Sequence, residues 1–383
     1  MEGAAVNLLK GRNPALDGIR GFAVASVVWF HFRPADVPGG WTAICIFFPL
    51  SGFLITRLVV QELMGTRGLA LKRFWIRRAR RLFPAMFATL LVVAPFAVLL
   101  GHGWEEAKGA VWSTVLYVNN WWQLSQQVDY WAQLEGHVSP FEHLWSLSVE
   151  EQFYVAWPLI VLGVWMASKR PLRNLFITAC TLMGAGVAIG FARAAANAEV
   201  TEIYYDTMVR SAEILAGALL AIVLAARPQW FTSERGIRAM NVIGWTGFTT
   251  LVVLSLMLGT SPNGFIEGGG MFVTSIAATA TIAGCLAGQS LSTVLSGRVL
   301  VWLGTRSYGI YLFHWPVFVF VTKEAVGLDG WSLTALHLAL TLAAAVLSYY
   351  LVEQRWLHPQ RAEKTARPTP PSEPVHSEVP VLV

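Results

Sequence analysis

Charged residues are scarce in this sequence. Only 13% of its 383 residues are Asp, Glu, Lys or Arg, whereas 55% are hydrophobic. A soluble domain carries about a quarter charged residues, so the chain has too little charge to cover a water-facing surface. The three cysteines, Cys45, Cys180 and Cys285, lie in apolar runs without metal-ligand spacing. A soluble enzyme, a disulfide-rich secreted module and a disordered chain are therefore excluded.

Apolar runs of about twenty residues recur along the chain, as expected of helices that cross a bilayer. We predict an all-α, polytopic integral membrane protein with ten spans, at about residues 18–33, 41–61, 82–101, 145–167, 173–194, 207–226, 239–258, 269–288, 299–321 and 331–353. Counting the apolar segment 109–122 as a full span would invert the sidedness of every later loop. We predict that it is a re-entrant or interfacial helix, because Asn119, Asn120, Trp121 and Trp122 suit the headgroup region.

Basic residues indicate which loops face the cytoplasm. Residues 62–81 are rich in Lys and Arg, and such loops stay inside. Counting crossings from this loop places both termini in the cytoplasm, and each other loop on that side is also basic. We predict a multi-pass protein of the plasma (inner) membrane. Its membrane-embedded domain would cover residues 1–360, and residues 361–383, rich in Pro and polar groups, would form a disordered cytoplasmic tail.

Ionisable residues inside spans are costly and are therefore functional candidates. In the first span, Arg20 and His31 are eleven residues apart, which is about 16 Å of helix rise and returns them to nearly the same face. A cation and an imidazole would then share one stripe. The alternative is an Arg that snorkels to the interface and a His that is satisfied by a backbone carbonyl.

A second candidate lies in the basic segment RFWIRRARRLFP. Arg78 and Arg81 are three residues apart, so on a helix they would lie side by side and could clamp a phosphate. The alternative is a set of charges that stops translocation and contacts anionic lipid. The sequence leaves both interpretations open.

Polar residues share one face at the start of the fourth span, in HLWSLSVEEQFY. Ser146 and Glu150 are four residues apart, with His143 about one turn before them and Tyr154 one turn after. A hydroxyl, a carboxylate and an imidazole on one stripe favour proton transfer. The alternative is that Glu150 and its neighbour Glu151 only complement the helix dipole.

The ninth span contains a similar stripe, in RSYGIYLFHWP. Ser307, Tyr311 and His314 recur at helical spacing, and the topology places His314 in the outer half of the membrane. A structural histidine near a kink at Pro316 is the alternative.

The predicted topology separates two kinds of residue. His31, Glu150 and His314 would lie in the outer half, whereas the arginines at 20, 78 and 81 would lie near the inner face. The pattern predicts a protein that binds an anion from inside and moves protons toward the outside.

These motifs resemble those of acyltransferase family 3, whose bacterial members modify surface glycans, lipids or secreted natural products. The resemblance covers about residues 13–358 and rests on LDGIRGFAV, FFPLSGFLIT, RRARRLFP, HLWSLSVEEQFY and LGTRSYGIYLFHWP. Many relatives have an acidic residue before the FF pair, where this chain has Ile46. Some carry an additional C-terminal esterase domain; this sequence ends before one, so we expect it to act alone or with a partner.

The resemblance implies a ten-helix O-acyltransferase. Such an enzyme moves an acyl group, usually acetyl, from cytoplasmic acyl-CoA to a hydroxyl of a glycan, glycolipid or secreted small molecule at the outer face. It needs the lipid bilayer but no nucleic acid. No metal or permanently bound cofactor is expected, because the histidines are scattered. The oligomeric state is not indicated.

The site residues follow from this hypothesis. Those assigned to bind the phosphates of acyl-CoA are Arg20, Arg78 and Arg81. Those assigned to catalysis are His31, Glu150, His314 and Ser146. Supporting roles are assigned to His143, Ser148, Tyr154, Ser307 and Tyr311. His31 would act as general base or as nucleophile, Glu150 would orient an imidazole, and Ser146, Tyr311 or His314 would donate to the developing oxyanion.

Other functions remain as alternatives. A transporter or flippase would also use intramembrane charges, but it predicts broken helices in two related halves, and the sequence shows no such symmetry. A lipid-linked glycosyltransferase would need paired acids in its first outer loop, where Asp36 stands alone. A non-catalytic assembly or receptor protein would leave the arginines and histidines without a shared purpose.

Overall fold

The computed structural model describes residues 11–66, 68–101, 104–128, 130–131, 139–260 and 263–357, with the backbone only for 104–106 and 357. The tail predicted over 361–383 lies outside the described residues, as does the start of the chain.

The described chain is all-α, as predicted. Its ten long helices, labelled α1 to α10 in chain order, are Pro14–Phe32, Ile44–Thr66, Leu71–Leu99, Trp145–Ala167, Pro171–Ala195, Thr207–Ala226, Glu234–Met257, Gly270–Leu286, Ser307–Phe320 and Gly330–Ser348. Short helices lie between them at Trp104–Val115, Asn119–Ser125, Val200–Tyr205, Gln229–Thr232, Asn263–Glu267, Ser290–Leu295, Arg298–Thr305 and Lys323–Val326, and one more, Gln354–Leu357, follows α10. Two 3₁₀ turns, Gly40–Ala43 and Glu142–Leu144, and a π-helical turn, Tyr349–Glu353, complete the described elements.

Seven helical segments are long and apolar enough to cross a membrane. They are Gly40–Thr66, Leu71–Leu99, Glu142–Ala167, Pro171–Ala195, Thr207–Ala226, Glu234–Met257 and Gly330–Trp356. This finding supports a multi-pass membrane protein. The count of ten spans and the cytoplasmic placement of both termini remain predictions.

We predicted that the basic residues up to 81 form a loop and that a span begins at residue 82. The structure has one continuous helix there instead. α3 begins at Leu71 and continues to Leu99, so Arg78 and Arg81 lie on a long helix. Residues 71–83 are mostly Leu, Lys, Arg and Ala, which favour helix, and contain no Gly or Pro. The helix then accommodates Pro84 and Pro95 in its interior.

The segment around 109–122 forms two short helices of 12 and 7 residues. They meet at Tyr117, whose φ of 54° is left-handed. Both are shorter than the ~20 residues that a span needs. The Asn119 and Asn120 side chains are fully buried inside the protein, and the headgroup position of this segment stays a prediction. Asn120 donates to the carbonyl of Tyr205 at 3.1 Å, so the bundle satisfies this amide.

The predicted ninth span is interrupted at Arg306, between Arg298–Thr305 and α9. The first of these helices packs very closely against α1. A Cβ at Gly304 would lie 1.7 Å from the backbone oxygen of Asp17, and a Cβ at Gly21 would lie 2.0 Å from that of Leu300. Small residues allow this approach, as in other membrane helix pairs. The contact fixes α1, and with it Arg20, beside the start of α9.

The centre of the bundle is the crossing of α2 and α6. A Cβ at Gly52 would lie 1.8 Å from the backbone oxygen of Ile214, and a Cβ at Gly217 would lie 1.7 Å from that of Pro49. The two backbones therefore touch. This rigid contact supports one wall of the cavity described next, because α2 lines that cavity with its other face.

Candidate active site

A polar cavity lies between α1, α2, α3, α4 and α9. It holds about 920 Å³ of space not occupied by protein atoms, counting its open mouth. Its polar lining residues are Arg20, Ser51, Arg78, Arg81, Tyr117, Ser146, Glu150, Glu151, Tyr154, Ser307, Tyr308 and Tyr311. Eight of the residues assigned from the sequence therefore meet in one place, although they come from four different helices.

The charges in this cavity are only loosely paired. The guanidinium of Arg78 lies 3.7 Å from the centre of the Tyr154 ring, and its Nε lies 3.9 Å from Oε1 of Glu151. The hydroxyl of Tyr154 donates to Glu150 at 3.1 Å and also contacts Ser51. Arg81 is exposed at the mouth of the cavity. The cavity is lined by three arginines and two carboxylates, so its net positive charge favours the binding of an anion.

The prediction that Glu150 orients an imidazole is not what the structure shows. Its carboxylate accepts from Tyr154 on the arginine side of the cavity. His143 lies in the 3₁₀ turn that precedes α4, so its side chain leaves the stripe that carries Ser146, Glu150 and Tyr154. The described histidines do not line the cavity beside Glu150.

Three buried histidines, His31, His143 and His314, form a separate cluster. The ring centres of His31 and His314 are 5.1 Å apart, and those of His143 and His314 are 5.4 Å apart. Trp315 covers the cluster, with its ring centre 4.7 Å from that of His31. The sequence pointed to each histidine but not to their contact, since they come from three distant segments.

Hydrogen bonding fixes the tautomer of one member of this cluster. Nδ1 of His314 lies 2.7 Å from the carbonyl oxygen of Tyr311. Because a carbonyl only accepts, Nδ1 carries the proton, and Nε2 of the neutral ring is left as an acceptor. Among the described residues, Nε2 of His314, Nδ1 of His31 and both ring nitrogens of His143 have no hydrogen-bond partner. Buried polar atoms without partners are uncommon and often mark function.

Ser146 and Tyr311 join the cavity to the histidine cluster. Their hydroxyl oxygens are 2.6 Å apart, and both line the cavity. The Tyr311 hydroxyl also donates to the backbone carbonyl of His143 at 2.6 Å. The cavity and the cluster thus share a wall made of two hydroxyl-bearing side chains.

Ser148, which the sequence suggested as a supporting residue, lies outside this arrangement. Its hydroxyl accepts from the backbone N–H of Asn119 at 3.1 Å. The contact holds the short helix Asn119–Ser125 against α4. On a helix, residues two positions apart point to different sides, which separates Ser148 from Ser146.

Four polar lining residues were not predicted as site residues: Ser51, Tyr117, Glu151 and Tyr308. Ser51 had a signal in the sequence, because it is a hydroxyl within the apolar motif FFPLSGFLIT. Tyr308 donates to the carbonyl of Leu82 at 3.0 Å, a contact that the sequence does not indicate. Within the described part of the chain, no group of three or more His, Cys, Asp and Glu is arranged to hold a metal ion.

Known proteins are similar to this chain in sequence. The family model described as an acyltransferase domain matches residues 13–352. The chain is 32% identical over 348 residues to the O-acetyltransferase OatA of Staphylococcus aureus, covering 89% of this chain and 56% of that protein. It is 34% identical over 350 residues to the putative peptidoglycan O-acetyltransferase YrhL of Bacillus subtilis, covering 89% and 54%. The peptidoglycan O-acetyltransferase OatA of Listeria monocytogenes is 31% identical over 346 residues, covering 89% and 55%.

The chain therefore spans about half the length of these curated relatives. No solved structure matches it. The match to the family model nevertheless extends from α1 into the π-helical turn after α10 and includes all of the motifs on which the resemblance rested. By this extent of similarity, the chain belongs to acyltransferase family 3.

Proposed function

We propose that the protein is an integral membrane O-acetyltransferase. It moves an acetyl group from cytoplasmic acetyl-CoA to a hydroxyl of peptidoglycan, or of a related glycan, at the outer face of the plasma membrane. The observation that carries the proposal is the shared wall of Ser146 and Tyr311, which joins an arginine-lined cavity to a buried histidine cluster. The names of the relatives support acetyl as the group and a glycan as the acceptor.

The arginines are suited to the donor. Coenzyme A carries several phosphate charges, and guanidinium groups bind phosphate oxygens in pairs. Arg81 is exposed, and Arg78 and Arg20 line the same cavity from α3 and α1. Phosphates held there would leave the pantetheine arm to enter the cavity and bring the thioester to the Ser146–Tyr311 wall. The predicted topology places the mouth of the cavity toward the cytoplasm.

The wall and the cluster are suited to the transfer step. In that step His31 removes the proton of the acceptor hydroxyl, whose oxygen attacks the thioester carbon. The bond between carbon and sulfur breaks, and the thiolate leaves and takes up a proton. A hydroxyl of the wall donates to the oxyanion that forms in between. His314, with Nε2 unprotonated, accepts a hydrogen bond or the proton from the cluster.

Glu150 has a different role in this proposal from the one that its motif suggested. Through Tyr154 it fixes the ring on which Arg78 stacks. It thereby holds Arg78 in place and balances part of the cationic charge when the cavity is empty. Glu150 is in this respect a positioning residue for the donor.

Mass spectrometry of the cell-wall glycan tests the proposal. Cells carrying the wild-type chain should show sugars with one added acetyl group, and cells carrying His31→Gln should not. His337→Gln is the matched control, because His337 is also buried but its Nε2 contacts the carbonyl of Val321 at 2.7 Å outside the cluster. It should keep the modification. Wild-type levels of acetylation in His31→Gln cells would contradict the proposal.

The source of the acetyl group needs a separate measurement. Protein reconstituted in vesicles should transfer label from acetyl-CoA only when the nucleotide is supplied on the side of the arginine mouth. Arg78→Gln should abolish this transfer while the protein remains monodisperse in detergent. Transfer from either side, or without acetyl-CoA, would contradict the assignment of donor and direction.

A further inference from the structure

A second depression lies on the outside of the helix bundle. It holds about 840 Å³ between the ends of α2, α4, α5 and α6. Its walls are apolar and include Leu63, Phe176 and Val223. This groove, as it is called below, lies within the range of about 300–1,000 Å³ typical of ligand pockets.

The rim of the groove is cationic. Arg170, Arg173 and Arg227 line it, and no carboxylate is among the described residues that do. All three arginines are exposed, and no ion pair within the described part of the chain involves them. Trp165 and Trp230 stand at the same edge. Arginine and tryptophan together are typical of the zone where lipid headgroups meet acyl chains.

The groove is separate from the candidate active site and lies nearer to the ends of the helices that line both. On α2 the cavity is lined as far as Leu54 and the groove begins at Leu63, nine residues or about 14 Å further along the helix. On α4 the corresponding residues are Tyr154 and Trp165, about 16 Å apart along the axis. α2 and α4 both end within three residues of the groove. In the predicted topology these helix ends lie at the cytoplasmic face, which would put the rim at the depth of lipid phosphates.

We infer that the groove binds an anionic phospholipid. One acyl chain would lie along the apolar walls, and the phosphate would contact Arg170, Arg173 and Arg227. Basic pockets between membrane helices bind anionic lipid headgroups in this way. A nucleotide fits less well, because the hydroxyls of its sugar would lie against the aliphatic walls, which offer them no hydrogen bonds. Phe176 and Trp230 are exposed, so the groove is open to lipid from the side.

Lipid binding to the purified full chain tests this inference. Phosphatidylglycerol in mixed micelles should raise the melting temperature of the wild-type protein, and phosphatidylcholine should not. The triple variant Arg170→Gln/Arg173→Gln/Arg227→Gln should bind phosphatidylglycerol at least tenfold more weakly. Its control is Arg235→Gln/Arg238→Gln/Arg298→Gln, which removes the same charge from exposed arginines outside the groove and should bind like the wild type.

A second variant tests the apolar walls without changing the charge. Val223→Trp should fill the groove and weaken phosphatidylglycerol binding, while size-exclusion chromatography in detergent shows an unchanged folded protein. Equal binding by both triple variants would overturn the inference, because a general surface charge would then explain it. Full binding by Val223→Trp would overturn the acyl-chain site. Displacement of phosphatidylglycerol from the wild type by coenzyme A would assign the groove to the nucleotide instead.

Discussion

Arg78 and Arg210 both lie within the helix bundle, but their surroundings differ. Arg78 lines an open cavity, and its nearest carboxylate oxygen is 3.9 Å away. Arg210, on α6, is 0% exposed and lies 2.6 Å from Oε1 of Glu213 one turn later. Ser275 donates to the other oxygen of that carboxylate at 2.8 Å. One arginine is available to a ligand, and the other is closed off by the protein.

Aromatic rings complete the enclosure of Arg210. Its guanidinium lies 4.8 Å from the ring centre of Phe48, 5.4 Å from that of Trp145 and 4.7 Å from that of Tyr204. Rings at these distances stabilise a desolvated cation. Phe48 also lines the cavity. The enclosed ion pair therefore supports the wall of the cavity from behind, without facing it.

This comparison shows how an intramembrane charge is to be interpreted. Both arginines are costly to bury and are functional candidates by that criterion alone. Only the partner distances and the access to a cavity separate them. An arginine that is fully enclosed beside a close carboxylate is out of reach of a substrate phosphate, whereas one that lines an open cavity with a long ion pair is accessible to it.

The largest expected effect comes from breaking the enclosed pair. Glu213→Ala leaves Arg210 buried without a counter-charge, which costs about 3–5 kcal/mol of folding free energy. Thermal unfolding in detergent should show this loss, with activity lost only because folded protein is lost. The double variant Arg210→Met/Glu213→Leu should recover most of the stability. If Glu213→Ala melts like the wild type, the pair is not structural.

The next largest effect is expected at the shared wall of the open cavity. Ser146→Ala should lower kcat about 100-fold, because a hydroxyl that donates to the oxyanion is worth about 10²–10³ in rate. Donor binding and melting temperature should change little. Kinetics of acetyl transfer with purified protein measure it. A change confined to the donor KM would instead place Ser146 among the binding residues.

A smaller effect is expected from Arg78→Lys. Lysine keeps the charge but loses both the paired hydrogen bonds to phosphate and the flat contact with Tyr154. We expect the KM for acetyl-CoA to rise about tenfold, which is about 1.4 kcal/mol, with kcat nearly unchanged. Arg235→Lys, at an exposed position outside the cavity, is the control and should keep both constants. An unchanged KM in Arg78→Lys would separate the cavity from donor binding.

The smallest effect is expected at Ser148, which is two residues from Ser146 but outside the cavity. Ser148→Ala should reduce stability by about 1 kcal/mol through loss of its hydrogen bond with Asn119. Acetyl transfer by the folded protein should be unchanged. A loss of kcat comparable to that of Ser146→Ala would mean that the two serines do not differ as their contacts indicate.

Much of the site could be predicted from the sequence, but its arrangement could not. Arg20, Arg78, Arg81, Ser146 and Tyr311 were identified because polar residues within apolar runs are conspicuous and helical spacing groups them. The bond between Ser146 and Tyr311 joins residues 165 positions apart, and no local pattern encodes such a contact. The hydrogen-bond partner of Glu150 was predicted to be an imidazole and is Tyr154 instead, because a shared stripe does not determine which neighbouring groups it faces.

Arg210 and Glu213 were missed for the opposite reason. They lie early in an otherwise apolar helix, three residues apart, and match none of the motifs that carried the resemblance. Their significance depends on Ser275 from α8 and on three rings from elsewhere in the chain. The structural role of such a pair can be recognised only from the packing of the helices around it.

The sequence by itself determined the membrane environment, the helical class, the family and the chemical inventory of the site. These properties depend on composition and on periodicity within single segments, which a linear chain records directly. The tertiary structure alone decided which charges are open and which are enclosed, that three distant histidines meet, and that Ser146 faces the cavity while Ser148 does not. The rotation of each helix about its axis sets these outcomes, and that rotation is fixed by close backbone contacts such as Gly52 on α2 against α6.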